Sequence, residues 1–204
     1  MRVLVTREEL VARVEALGHD ALLCELIRVE PLGDEPVDAR AYDWLVVTSR
    51  NGAHELARRG VTANRIAAIG PATAEALRAH GLQVDLVAAT HTQEGLRDEL
   101  PAGTRLLAVA EGARRDVVEA DFLPLYRTIE LRPEVPDADV ALLMSGSAAR
   151  ALATTGARVP VVALGPQTAA EARAAGLEVL GVAATHDLDG LVEALRSLPW
   201  SSPS

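Results

Sequence analysis

The segment IAAIGPATAEAL (66–77) recurs in similar form as VVALGPQTAAEA (161–172), and this repeat decides the fold. Aligned at an offset of 95 residues, residues 66–100 match residues 161–195 at 18 of 35 positions. Repetition on this scale indicates a duplicated structural unit.

The repeat extends upstream of this segment. VVTSRNGAHELARRG (46–60) aligns with LLMSGSAARALATTG (142–156), and the extended LIRVEPL (26–32) aligns with LYRTIEL (125–131). Two copies of one α/β domain therefore fill the chain.

Short apolar runs alternate with helical patterns in each copy. In the first copy RVLVT, WLVVT and RIAAI are each followed by a helical segment: EELVARVEALG, NGAHELARRG and PATAEALRAHG. Near-continuous apolar strands separated by helices indicate a parallel sheet covered on both faces. We expect a doubly wound, flavodoxin-like fold.

Proline and glycine mark the ends of the predicted helices. Pro71 and Pro166 suit a first helical turn. Glycines suited to a left-handed C-cap follow four of the helices: Gly60, Gly81, Gly156 and Gly176. In the second copy only ARRDVVEADFLP (113–124) separates two predicted strands, so a full helix hardly fits and this domain is abbreviated.

Composition excludes several classes of function. The chain has 204 residues and a net charge of -9, and all 20 basic residues are arginine. Phosphate contacts need clustered cations, so this charge argues against nucleic acid or an anionic membrane as a partner. The absence of lysine excludes Schiff-base chemistry, a pyridoxal phosphate anchor and a P-loop lysine.

The location of the protein is also constrained. The single cysteine, Cys24, lies in the apolar run ALLCELI and is interpreted as a buried small hydrophobe, not half of a disulfide. RVLVTR at the amino terminus lacks the apolar core of a signal peptide, and no apolar run reaches the roughly 18 residues of a membrane span. We therefore expect a cytoplasmic protein.

Common catalytic and metal motifs are absent: GxSxG, GxGxxG and HExxH do not occur. His91 and His186 occupy equivalent places in the two copies, so a metal site formed by both is one interpretation. No carboxylate or thiol accompanies them at ligand spacing, so the favoured interpretation is an exposed polar residue in a duplicated loop.

The repeated strand-to-helix junctions are the strongest candidates for a binding site. TSRNGA and AIGPATA in one copy, with MSGSAA and ALGPQTA in the other, place Ser, Thr, Asn and Gly where backbone N–H groups and the helix dipole favour carboxylate or phosphate. The alternative is that Ser49, Thr73, Ser145 and Thr168 only cap helices.

Together these motifs resemble the uroporphyrinogen-III synthase family. The resemblance runs from VLVTR through TSRN, AIGPATAEALRAHGL, LYRT, MSGSA and ALGPQTAAEARAAGL to GLVEAL. It implies two lobes joined by a two-strand linker, with residues 1–33 and 132–204 in lobe 1 and residues 34–131 in the abbreviated lobe 2.

The resemblance also implies an activity. Members of this family are cyclising hydro-lyases that close hydroxymethylbilane to uroporphyrinogen III, losing water and inverting the last pyrrole ring, and no cofactor is implied. We expect a monomer whose substrate is handed over by the preceding deaminase.

The resemblance adds a candidate catalytic residue to the binding residues that the strand-to-helix junctions supply. Tyr126 in LYRT matches the tyrosine thought to assist departure of the hydroxyl. Substrate carboxylates are expected at Arg7, Ser49, Asn51, Gly70, Thr73, Ser145, Ser147, Ala148, Gly165, Thr168 and Arg115, with Arg114 as an alternative to Arg115. Thr73 and Thr168 are expected to face each other across a cleft.

Two other functions remain open from the sequence. One is a non-catalytic sensor or binding module for a tetrapyrrole or other small polycarboxylate, favoured by the abbreviated lobe. The other is a two-lobed ligand-binding protein of periplasmic type, which the missing export signal disfavours.

Overall fold

A computed structural model of the protein describes residues 1–198. The chain divides into two compact units. Unit 1 combines Met1–Arg28 with the chain from Ile129 onward, and unit 2 is Val29–Thr128. These boundaries lie a few residues before the positions expected from the sequence, inside the two linking strands and ahead of the proline-rich segments.

Strands and helices alternate along most of the described chain. In chain order they are β1 (Arg2–Val5), α1 (Val11–Glu15), β2 (Asp20–Leu23), β3 (Ile27–Pro31), β4 (Trp44–Val47), α2 (Arg50–Arg58), β5 (Ile66–Ala68), α3 (Pro71–Ala79), β6 (Leu86–Val87), α4 (Gln93–Glu99), β7 (Arg105–Ala110), β8 (Asp121–Glu130), β9 (Val140–Leu143), α5 (Gly146–Thr154), β10 (Val161–Ala163), α6 (Pro166–Ala174), β11 (Val179–Val182) and α7 (Leu188–Arg196).

The sheet of unit 1 has the order β11-β10-β9-β1-β2, and every neighbouring pair in it is parallel. Counted within the unit from β1, this order is 2-1-3-4-5, the flavodoxin-like arrangement. The predicted doubly wound α/β class is confirmed.

The sheet of unit 2 has the order β3-β8-β7-β4-β5-β6. The pairs from β8 to β6 are parallel. If β7 is counted as the first strand, the five strands from β8 to β6 have the same 2-1-3-4-5 order as the sheet of unit 1. The chain of unit 2 enters this order at a different strand. The linking strand β3 lies at the edge beside β8, and the Leu32 N–H that follows it donates to the Leu125 carbonyl at 2.8 Å.

Each sheet is buried on both faces. In unit 1 the Leu4 and Leu143 side chains belong to one core layer and Val5 and Leu142 to the opposite layer. This division follows from the alternation of side chains along a strand. Cys24 is buried in the first of these layers, as predicted.

Helix ends agree with the proline and glycine pattern. Pro71 and Pro166 begin α3 and α6. The four predicted C-cap glycines all have positive φ angles, between 63° and 82°. The Leu177 N–H closes α6 on the Ala172 carbonyl at 2.9 Å, as expected of a left-handed cap.

Two details differ from the sequence-based expectation. The helix expected from EELVARVEALG is shorter, because a 3-10 turn at Glu8–Leu10 precedes the five-residue α1. Strand β2 was not predicted: its last three residues begin the apolar run ALLCELI, but Asp20 is polar and none of the four side chains is fully buried. The abbreviated connection is confirmed: residues 111–120, all of them described, contain no helix.

Among the described residues, no helix is long and apolar enough to cross a membrane.

Replacing a C-cap glycine tests the helix boundaries. In Gly176→Ala the new Cβ meets no atom within 4 Å, but the φ of +82° remains unfavourable for alanine. We expect a loss of about 1–2 kcal/mol in the free energy of unfolding, measured by urea denaturation. Gly112→Ala is the matched control, since Gly112 has equal space and no positive φ. Equal losses in the two variants would contradict this explanation.

Candidate active site

Parallel pairing brings successive strand-to-helix junctions side by side within each unit. In unit 2 the last residues of β4 and β5, Val47 and Ala68, are register partners. In unit 1 Leu143 of β9 and Ala163 of β10 are partners in the same way. Helices α2 and α3 therefore start next to each other, and so do α5 and α6.

Each sheet also has a topological switch point, where the chain leaves adjacent strands in opposite directions. In unit 1 it lies between β1 and β9, and Arg7 and Ser145 follow those strands. In unit 2 it lies between β7 and β4, followed by Arg115 and Ser49. Open α/β sheets bind their ligands outside the carboxyl ends of the strands at such points.

Two of the four junctions are capped by a serine. The Ser49 Oγ accepts the Gly52 N–H at 3.0 Å at the start of α2. The Ser145 Oγ accepts the Ala148 N–H at 3.2 Å at the start of α5. Both serines therefore cap helices, and their role in binding a ligand stays a prediction.

The neighbours of these caps lie in the first helical turns. Asn51 is the second residue of α2, and Ser147 is the second residue of α5. The Ser147 Oγ lies 3.0 Å from the Ser145 Oγ. Since the Ala148 N–H is donated to Ser145, Gly146 and Ser147 carry the N–H groups that have no intrahelical acceptor.

The other two junctions have no side-chain cap. Gly70 and Gly165 are the N-cap residues of α3 and α6, and neither provides a hydroxyl or carboxylate. A Cβ added at Gly70 would lie 3.0 Å from the His91 ring, and one at Gly165 would lie 3.0 Å from the His186 ring. An imidazole therefore packs against each of these glycines.

Thr73 and Thr168 occupy the third positions of α3 and α6, so the interpretation of these threonines as helix caps is wrong. Their side chains are only 5% and 7% exposed. Neither hydroxyl has a hydrogen-bond partner within residues 1–198. The N–H groups of Ala72 and Thr73 in α3, and of Gln167 and Thr168 in α6, are those without an intrahelical acceptor.

Tyr126 lies at the carboxyl edge of the unit 2 sheet. A register shift in the β7–β8 pair places it opposite Ala110, the last residue of β7. The Glu111 N–H donates to the Tyr126 carbonyl at 2.8 Å, which fixes the backbone at this point. The Tyr126 side chain is 6% exposed and belongs to the core of unit 2.

The Tyr126 phenol contacts the serine cap of α2. Its oxygen lies 2.8 Å from the Ser49 Oγ, although the two residues are 77 apart in the sequence. Burial raises the pKa of the Tyr126 phenol, and the hydrogen bond to Ser49 opposes part of that rise. The phenol is therefore protonated at neutral pH and can donate a hydrogen bond or a proton.

The candidate arginines differ in their surroundings. Arg7 is exposed and has no ion pair among the described side chains. Arg114 is paired with Glu94 at 2.7 Å. Arg115 packs over the Phe122 ring at 3.9 Å and keeps its charge available, because no acidic partner is found for it in residues 1–198.

A metal site shared by His91 and His186 would involve both units and stays untested. In the described part of the chain, no group of three or more His, Cys, Asp or Glu side chains could hold a metal ion.

Sequence reasoning identified Ser49 and Tyr126 separately but missed their contact. The sequence repeat contained one indication that position 126 is special. The position aligned with Tyr126 in the other copy is Ile27, so the tyrosine is a departure from an otherwise apolar repeated position. The expectation that Thr73 and Thr168 face each other concerns the placement of the two units and stays a prediction.

The fold and these junctions define a class of α/β proteins built from two doubly wound units. A model of a family described as "Uroporphyrinogen-III synthase HemD" matches residues 8–193. The chain belongs to the uroporphyrinogen-III synthase family.

Individual proteins and structures are also similar to this chain. A protein of Archaeoglobus fulgidus named "Putative uroporphyrinogen-III synthase" is 29% identical, over 97% of this chain and 99% of that protein. The crystal structure of a mutant uroporphyrinogen III synthase from Thermus thermophilus is 18% identical and covers 96% of this chain and 97% of its own, with a TM-score of 0.66, which shows the same fold. A second structure of the Thermus thermophilus enzyme is 20% identical over 96% of this chain and 98% of its own, with a TM-score of 0.47.

Family membership makes the protein an enzyme, and none of these relatives favours a non-catalytic module. The feature that suggested such a module, the short connection over residues 111–120, leaves both β7 and β8 in the sheet. It also leaves Tyr126 in contact with Ser49.

Proposed function

We propose that this protein is a uroporphyrinogen-III synthase, which converts hydroxymethylbilane to uroporphyrinogen III. The observation that carries the proposal is a buried tyrosine, hydrogen-bonded to Ser49 at the carboxyl edge of a sheet, in a chain of this family. The reaction is a cyclising loss of water and therefore belongs to the lyase class.

The chemistry needs a proton donor more than a nucleophile. Loss of the hydroxymethyl hydroxyl as water leaves an electrophilic azafulvenium ion, because the pyrrole nitrogen lone pair replaces the broken C–O bond. The terminal pyrrole attacks this carbon through its substituted α position and forms a spiro intermediate. That intermediate fragments and recloses with the last ring inverted.

Tyr126 is the proposed donor to the departing hydroxyl. Its phenol is neutral at physiological pH, because burial keeps its pKa above the ordinary value. A neutral phenol can place a hydrogen bond on the leaving oxygen and transfer its proton as the C–O bond breaks. The remaining task is to orient the terminal ring, and orientation alone can supply several kcal/mol of rate enhancement.

The substrate is a polycarboxylate, whereas the protein carries a net charge of -9. We propose that the uncapped starts of α3 and α6 bind substrate carboxylates through backbone N–H groups and the Thr73 and Thr168 hydroxyls. Helix starts provide positive potential without a charged side chain. Arg7 and Arg115 add charge at the two switch points.

These steps need no cofactor, because each uses groups of the substrate or of this chain. We further propose that the enzyme acts as a cytoplasmic monomer. Its substrate closes spontaneously to the type I isomer, so direct transfer from the preceding deaminase would limit that side reaction.

The proposed activity can be tested by product analysis. Freshly prepared hydroxymethylbilane is incubated with the protein, the products are oxidised, and the porphyrin isomers are separated. We expect predominantly the type III isomer. A product no richer in type III than the reaction without protein would refute the synthase proposal.

Tyr126→Phe tests the proton donor. The variant keeps the ring that packs in the core and loses only the hydroxyl, so we expect a folded protein whose kcat falls by about 100-fold or more. Tyr42→Phe is the control, since the Tyr42 hydroxyl bonds to Asp121 at 2.7 Å and has no proposed role. Full activity in Tyr126→Phe would remove Tyr126 from the mechanism.

Thr73→Val and Thr168→Val test the carboxylate sites. Neither hydroxyl has a partner in the described structure, so stability should change little. A lost hydrogen bond to a charged group is worth about 1.5–3 kcal/mol, and we expect KM to rise at least tenfold with kcat nearly unchanged. In the control Thr154→Val, the lost hydroxyl bonds the Ala151 carbonyl at the end of α5, and KM should stay constant. An unchanged KM in both test variants would exclude these hydroxyls from binding.

A further inference from the structure

Ser49 and Tyr126 each carry one hydroxyl hydrogen, and the hydrogen bonds around Ser49 limit how these two hydrogens can be arranged. The Ser49 Oγ carries one hydrogen and two lone pairs, and one lone pair accepts the Gly52 N–H at 3.0 Å. The 2.8 Å contact with Tyr126 can therefore be made in two ways. Either Ser49 donates to the phenol oxygen, or the phenol donates to the second lone pair of Ser49.

Only one of these arrangements is compatible with a working proton donor. If the phenol hydrogen points to Ser49, it is not available to a leaving hydroxyl. If Ser49 donates, the phenol hydrogen is free, and the Ser49 hydroxyl already faces the oxygen on which negative charge develops when that hydrogen is transferred.

We propose that Ser49 is a positioning residue for Tyr126, which donates its hydroxyl hydrogen to the phenol oxygen and stabilises the phenolate formed as the proton leaves. The catalytic part of this inference rests on the proposed function. The Ser49–Tyr126 contact does not depend on any reaction. The phenol proton passes to the leaving oxygen as the C–O bond breaks, and water departs. The Ser49 O–H holds the phenolate until it takes up the proton that the substrate loses when the ring closes.

The surroundings of Ser49 hold it in this geometry. Gly52 has no side chain, and a Cβ there would lie 3.2 Å from the Ser49 Oγ and 3.6 Å from the Val47 Cγ1. The N–H dipole of Gly52 points at the Ser49 oxygen, which makes the serine hydroxyl a better donor to Tyr126. Burial of the phenol removes water that would otherwise compete for this bond.

The equivalent serine in the other unit shows what is specific to this pair. Ser145 caps α5 in the same way, but its Oγ contacts the Ser147 hydroxyl at 3.0 Å instead of a tyrosine. The cap is therefore common to both copies, whereas the contact with an ionisable group is found at Ser49.

The test measures the Tyr126 phenol directly, without substrate. In a Tyr42→Phe background Tyr126 is the only tyrosine, and its ionisation is followed by ultraviolet absorbance. Ser49 stabilises the phenolate, so Ser49→Ala should raise the phenol pKa by about one unit. It should also lower kcat about tenfold or more, with KM within about twofold, and Ser49→Thr, which keeps a hydroxyl, should restore both values.

Thr92→Ala is the matched control, because Thr92 caps α4 of the same unit by accepting the Gly95 N–H at 3.1 Å. It loses the same kind of cap and should change neither the phenol pKa nor kcat. A fall in kcat for Ser49→Ala without a shift of the phenol pKa would overturn the proposal, and so would a shift without a change in kcat. Failure of the proposed function is distinguishable, because it appears as an unaltered isomer ratio or a fully active Tyr126→Phe variant.

Discussion

Parallel pairing of neighbouring strands is the constraint on which the candidate site depends. When adjacent strands run in one direction, their carboxyl ends meet at one edge of the sheet, and so do the helix starts that follow. The 2-1-3-4-5 order in each sheet adds a switch point between two central strands. Residues far apart in the sequence, such as Ser49 and Tyr126, are brought together because β4 and β8 flank β7 in the sheet.

The net charge of -9 gives these backbone groups a part in binding an anionic ligand. Several arginines are neutralised locally: Arg58 is paired with Asp34 and Glu55, and Arg150 with Glu130 and Glu171. Such exposed pairs contribute little to stability, but they partly neutralise the arginines that form them. N–H groups at helix starts keep their positive potential at any pH and need no counter-charge.

The sequence predicts most of the fold and part of the site, and the differences have physical causes. Apolar runs and the positions of Pro and Gly predicted ten of the eleven described strands, including partly exposed ones such as β3 and β11. Strand β2, in which no side chain is fully buried, was missed. The serine caps followed from local sequence alone. The Ser49–Tyr126 contact could not, because it depends on strand order and on the register shift that sets Tyr126 opposite Ala110.

The same reasoning explains why Thr73 and Thr168 were difficult to interpret. A threonine near a helix start is usually a cap, but Gly70 and Gly165 take the N-cap positions and leave the threonines inside the first turn. Neither hydroxyl has a protein partner among the described residues, and neither oxygen is among the fully buried polar atoms without a partner, so each stays accessible to another group. A bound carboxylate would supply that group at both junctions.

The asymmetry between the two copies fits the stoichiometry of the proposed reaction. The substrate has many carboxylates, so a binding junction is useful twice, and both copies keep the Gly-Pro helix start. It has only one leaving hydroxyl, so a proton donor is needed once. The chain carries a tyrosine at position 126 and an isoleucine at the aligned position 27, and the serine cap beside the tyrosine is the one that contacts a phenol. A duplicated binding scaffold can therefore become catalytic through one substitution next to a pre-existing cap, because the cap already holds the hydroxyl that a phenolate requires.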